Sequence, residues 1–97
     1  DMATAIYASR AMTYNAALLK DSGLPYVQEA SMAKLFASEA CFNVASEALQ
    51  IFGGMGYFQG ANIERYFRDA RVTSIYEGTS EVQRMVIARR LLEQHGI

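Results

Sequence analysis

The sequence predicts an all-α fold, an antiparallel four-helix up-and-down bundle. Two observations carry this. Apolar side chains recur at threes and fours along two long stretches, residues 1–20 and 26–52. The breaks between periodic stretches fall on glycine-bearing turns, and no two β-patterned runs are available to pair as a sheet.

In residues 1–20 the stripe is Met2, Ala5, Ile6, Met12, Ala16 and Leu19. Asp21-Ser22-Gly23 stops it, with Gly23 suited to the left-handed conformation after a helix end. Pro25 suits the first turn of the next helix, where its missing N–H is not needed. That helix spans residues 26–52. Its stripe is Val27, Ala30, Ala33, Ala37, Ala40, Cys41, Val44, Ala48 and Phe52, broadened by Leu35, Phe36 and Leu49. Much of the surface is Ala and Ser, which lets neighbouring backbones come close, so this helix should be packed on several sides. Residues 53–61 form a glycine-rich connection. Asn62 is placed to cap a short helix that runs to about Arg68. Residues 71–76 are β-branched and aromatic, and read as an extended loop because no partner strand exists. Ser80 and Gln83 have capping-box spacing for a last helix ending near Glu93, with Thr79 as a competing cap. Its apolar face is Val82, Met85, Val86 and Leu92.

At 97 residues the chain makes one domain, 52% apolar and 20% charged, which is a globular composition. A net charge of −1 with interspersed signs gives no basic stripe for nucleic acid. Cys41 and His95 are the only residues of their kinds, so neither an intrachain disulfide nor a zinc site can form. Cys41 reads as a packed thiol. No apolar run is long enough to cross a bilayer, and no signal peptide is visible. The chain starts at Asp1, inside a helical pattern, which reads as part of a longer protein.

Three local patterns follow one another in the second half. They are Gln50-Ile51-Phe52-Gly53-Gly54-Met55-Gly56-Tyr57, then Arg65-Tyr66-Phe67-Arg68-Asp69-Ala70, then Ile75-Tyr76-Glu77-Gly78-Thr79-Ser80-Glu81. The glycines permit positive φ and close approach of another backbone or a ligand. They follow a helix and lack dinucleotide-fingerprint spacing, so a phosphate-cradling loop of that kind is rejected. A helix C-cap followed by a turn is the plainer reading. Glu77 lies between an aromatic stretch and the glycine before a helix. N–H groups at that helix start can hold an anion or a carbonyl oxygen, and a ligand that excludes water would make the carboxylate a stronger base. Taken alone, Glu77 reads more simply as a favourable charge near a helix N-terminus.

Together these patterns, with Met32-Ala33-Lys34-Leu35-Phe36-Ala37-Ser38-Glu39 upstream, resemble the C-terminal helical domain of acyl-CoA dehydrogenases, closest to the short- and medium-chain type. The resemblance covers nearly the whole chain and implies FAD as cofactor, an acyl-CoA substrate, electron-transferring flavoprotein as acceptor and a homo-oligomer. It implies that Glu77 is the base that takes the substrate's α-proton while the β-hydrogen leaves as hydride to flavin N5. Glu at this position argues against relatives, such as the isovaleryl and long-chain types, that carry their base on an earlier helix. The thioester oxygen needs donors to hold enolate-like charge. The resemblance assigns one to the Glu77 N–H and one to a flavin ribityl hydroxyl. It gives Gly78 a place in the substrate pocket and puts Thr79, Ser80 and Glu81 against FAD. It sets Gln50, Ile51, Phe52, Gly53 and Gly54 against the FAD of a neighbouring subunit.

Arg68 and Asp69 read as structural, an ion pair steadying the loop to Glu77. Lys34 and Glu39 read as solvated helix-face charges. Tyr57, Phe67 and the methionines read as core. One departure stands out: many family members have a segment like Thr-Arg-Glu-Tyr-Pro where this chain has Phe58-Gln59-Gly60-Ala61-Asn62. The length is kept, so the fold should be unchanged; the local surface should differ, and chain-length or partner preference is open with it. The resemblance also implies that residues 1–97 are a partial domain, without its first helix and without an N-terminal helical and a middle β domain. Mitochondrial matrix and bacterial cytoplasm both fit. Two other readings are open: an acyl-CoA oxidase-like flavoenzyme on the same scaffold, and a non-catalytic helical assembly module.

Overall fold

The computed structural model describes residues 1–97, and all of its regular structure is helical. Helix α1 spans Met2–Asp21, α2 Val27–Phe52, α3 Gly54–Tyr57, α4 Ile63–Val72 and α5 Ser80–Gln94. Helix α3, the one element added to the expected four, is a single turn inside the glycine-rich connection. There Gly56 lies so close to helix α2 that a Cβ on it would meet Phe52 Cβ at 2.7 Å and the Leu49 carbonyl at 3.0 Å.

Helix α2 is the axis of the molecule. Each of α1, α3, α4 and α5 packs on it, whereas α1 touches neither α4 nor α5. The expectation of a helix packed on several sides is met, and the reason is the side-chain size along it. Ser31, Ala33, Ser38 and Ala45 are its buried residues, and all are small. On α1 the half-buried positions Met2, Ala5, Met12 and Leu19, with buried Ala16, keep the helical period. The α1–α2 turn closes as expected, with Gly23 at φ 73 and the Leu24 N–H donating to the Leu19 carbonyl at 3.0 Å. Between α2 and α4, Phe42 and Phe67 stack at 5.2 Å, and the Arg71 guanidinium lies over Phe42.

Several local expectations are corrected. Pro25 is not in the first turn of α2: Tyr26 is the N-cap, so Pro25 lies just outside the helix. Asn62 caps α4 by position only: it is left-handed at φ 64 and its side chain makes no cap bond. Residues 71–76 are not extended. Helix α4 continues to Val72, and the Ile75 and Tyr76 N–H groups both turn back to the Val72 carbonyl. Local hydrogen bonds satisfy this backbone where no partner strand exists to do so. Arg68 and Asp69 form no ion pair, since the single ion pair is Arg90–Glu93. Cys41 is exposed, as are Tyr57, Met55 and Met85. The α5 face of Val82, Met85 and Leu92 is also exposed, because α5 meets only α2.

The molecule is elongated, 53 × 24 × 20 Å, with a radius of gyration of 16.0 Å. A compact chain of this length would have about 13 Å. An apolar groove of about 790 Å³ runs over α2 between α1 and α4, lined by Ile6, Tyr14, Val44, Ile63 and Tyr66 among others.

Candidate active site

Residues 73–79 join α4 to α5 and carry Glu77 at their exposed apex. Two side chains of α2 hold this loop. The Lys34 ammonium donates to the Thr73 carbonyl at 2.7 Å and to the Gly78 carbonyl at 2.8 Å, tying the loop's two ends to one point. One turn and a little further along α2, Glu39 accepts from the Ser80 hydroxyl at 2.7 Å. From α5, Gln83 Nε2 donates to the Glu77 carbonyl at 3.2 Å, and the Ser80 N–H donates to the Ser74 carbonyl at 3.0 Å.

These bonds sort the loop's polar groups. The carbonyls of Thr73, Ser74, Glu77 and Gly78 are all engaged. The N–H groups of Glu77, Gly78 and Thr79 have no acceptor within the chain. Successive unpaired N–H groups make a concavity suited to an anion or a polarised oxygen. The Glu77 carboxylate is equally free, making no hydrogen bond and no ion pair. Glu77 thus makes no capping bond to α5, whose N-cap bond comes from Thr79.

Glu77 also adopts a left-handed backbone at φ 55, followed by Gly78 at φ 90. For a residue with a Cβ this is unfavourable by about 1–2 kcal/mol. Hydrogen bonds to a charged donor contribute roughly 1.5–3 kcal/mol each, so the two from Lys34 outweigh the strain. The surrounding contacts over-determine this conformation, which is the arrangement expected where strain serves a site.

Thr79, not Ser80, is the N-cap of α5, its hydroxyl accepting from the Val82 N–H at 3.2 Å. Ser80 is buried and Gln83 faces the loop, so the expected Ser80–Gln83 capping box does not form. Lys34 and Glu39 are the residues that sequence reasoning passed over. Each reads as an ordinary helix-face charge, and only the fold brings the loop onto them. Gln50, Ile51, Phe52, Gly53 and Gly54 lie elsewhere, exposed at the end of α2. Sixteen residues of helix separate Gln50 from Lys34, about 24 Å at the helical rise. The two sets of candidate residues therefore do not form one site within a chain.

Residues 1–92 match the family model described as acyl-CoA dehydrogenase, C-terminal domain. This chain belongs to the acyl-CoA dehydrogenase family. It is 54% identical over 95 residues to the human short-chain specific acyl-CoA dehydrogenase, mitochondrial, covering 98% of this chain and 23% of that protein. It is 50% identical over 94 residues to the caffeyl-CoA reductase-Etf complex subunit CarC of Acetobacterium woodii, covering 97% and 25%. The butyryl-CoA dehydrogenase structure from Megasphaera elsdenii superposes with a TM-score of 0.93 at 47% identity, covering 95% of this chain and 24% of that one. The chain thus spans about a quarter of the length of these relatives, and they come from mitochondria and bacteria alike. No helix is long and apolar enough to cross a membrane.

Proposed function

We propose that this chain is the C-terminal helical part of a flavin-dependent acyl-CoA dehydrogenase in which Glu77 takes the α-proton of an acyl-CoA thioester. The observation that carries this is the free carboxylate beside free N–H groups on one strained, tethered loop. The α-proton of a thioester is weakly acidic, and its removal leaves charge on the carbonyl oxygen. A base and a donor for that oxygen must therefore sit within one small region. Glu77 brings both, the carboxylate as base and its own N–H as donor. A substrate lying over the loop would exclude water and strengthen the base. Gly78, half-buried beside the base, is the proposed substrate contact; a Cβ there would lie 2.6 Å from Gln83 Nε2, the group that holds the Glu77 carbonyl.

FAD is the proposed cofactor, and it would supply the acceptor for the β-hydride at flavin N5. The residues present fit it. The Thr79 N–H at the start of α5 is unpaired, and the exposed Glu81 flanks it. At the far end of α2, nothing lies within 4 Å of a Cβ placed on Gly53 or Gly54. Their backbone is open to a group from outside the chain. The wide separation of these two sets supports contacts with two different cofactors in a homo-oligomer. Electron-transferring flavoprotein is the proposed acceptor, supported by the relative named as a subunit of an Etf complex.

The test is an anaerobic titration of the full-length protein with saturated acyl-CoAs of increasing length, followed by flavin bleaching. The parent should bleach, and Glu77→Gln should bind the same acyl-CoA while losing bleaching by at least about 10²-fold. Equal bleaching in both would move the base to another residue.

A further inference from the structure

We propose that Lys34 is the positioning residue for Glu77, its ammonium holding the loop so that the carboxylate stays aimed at the substrate. The inference rests on the reading of Glu77 as the base. Lys34 lies on the longest helix, at a half-buried position, so its stem has a fixed origin. Its ammonium carries three donors, and two of them reach carbonyls at opposite ends of one loop, Thr73 and Gly78. No other side chain of the molecule bonds to both ends. The Gly78 carbonyl lies one residue past Glu77, so holding it limits the Gly78 torsions and fixes where the chain goes after Glu77. Gln83 holds the Glu77 carbonyl itself, at the longer distance of 3.2 Å. Between these restraints Glu77 stays at φ 55, a conformation that its Cβ disfavours.

Removing the ammonium frees the Thr73 carbonyl to turn toward water and leaves the Gly78 carbonyl with only the longer Gln83 Nε2 bond of 3.4 Å. Glu77 can then relax to negative φ, and the carboxylate swings away from the unpaired N–H groups. Neither of the two carbonyls is part of the proposed chemistry, and Lys34 itself is not placed against substrate. Its effect should therefore fall on the proton-transfer step and leave ligand binding nearly unchanged. A misplacement of about 1 Å at a reacting group lowers rate by on the order of 10²-fold.

The experiment compares Lys34→Met, Lys34→Ala and Glu77→Gln in the full-length flavoprotein. Flavin content, acyl-CoA affinity and the single-turnover rate of flavin bleaching are measured for each. The expected result is parental flavin content and affinity in both Lys34 variants, with bleaching slower by on the order of 10²-fold. Added ethylammonium should restore Lys34→Ala saturably and leave Lys34→Met and the parent unaffected. Parental bleaching in Lys34→Met would overturn the proposal. So would loss of flavin or fold in both Lys34 variants, or a slow Lys34→Ala that ethylammonium does not restore. Glu77→Gln separates the two readings: if it bleaches like the parent, the assignment of the base has failed, whatever Lys34 does.

Discussion

At the scale of single residues, the loop before α5 depends on a few backbone torsions. Gly78 shows this most directly. It sits at φ 90, and a Cβ there would lie 2.6 Å from Gln83 Nε2. Gln83 is flexible and can withdraw, but withdrawing releases the Glu77 carbonyl, and the torsion stays unfavourable for any residue with a Cβ. Gly78→Ala should therefore strain the loop by about 1–2 kcal/mol and slow flavin bleaching more than it weakens acyl-CoA binding. Rapid-mixing kinetics of the full-length protein check this: an unchanged bleaching rate would mean that the loop accommodates the methyl without moving Glu77.

At the scale of elements, α2 explains the arrangement. Its small buried side chains let α1, α4 and α5 approach it from different sides. Its polar positions Lys34 and Glu39 then meet the loop between α4 and α5. The end of α2 is closed by the one-turn α3, where Gly56 fits against Phe52 and Leu49 and beside Ile63. Gly56→Ala has backbone on one side and a Cβ on the other, and neither can yield without moving the helix. Overpacking of this kind destabilises by about 1–3 kcal/mol. A melting temperature lowered by several degrees, measured on the full-length protein, is the expected outcome. An unchanged melt would show that α3 shifts freely.

At the scale of the whole molecule, these helices alone leave much apolar surface in water. Only 8 of 97 residues are buried, and none of the buried side chains is large. The groove between α1 and α4, the α5 face of Val82, Met85 and Leu92, and the cluster Ile51, Phe52, Met55, Tyr57 and Phe58 are all open. Patches of this size invite association. The isolated 97-residue chain should self-associate and bind FAD weakly. Sedimentation over a range of concentrations and the flavin absorbance of the purified chain check both. A monomer at every concentration, or tight stoichiometric flavin, would contradict the expectation.

The sequence by itself determined the helical class, the two long helices, the glycine stop after α1 and the family, because periodicity and ordered short motifs are local properties. It also singled out Glu77. Its errors have a common source. Residues 71–76 have β-type side chains but coil, since strand propensity needs a partner strand to act on. The Ser80–Gln83 box does not form because both side chains have better partners, Glu39 and the Glu77 carbonyl, that lie far away in the chain or on the loop. Lys34 looked like a solvated charge because 39 residues separate it from Thr73 and 44 from Gly78. The tertiary structure alone decided that these groups meet. A side chain's local pattern records the helix it sits on, whereas its hydrogen-bond partners depend on which distant backbone the packing delivers to it.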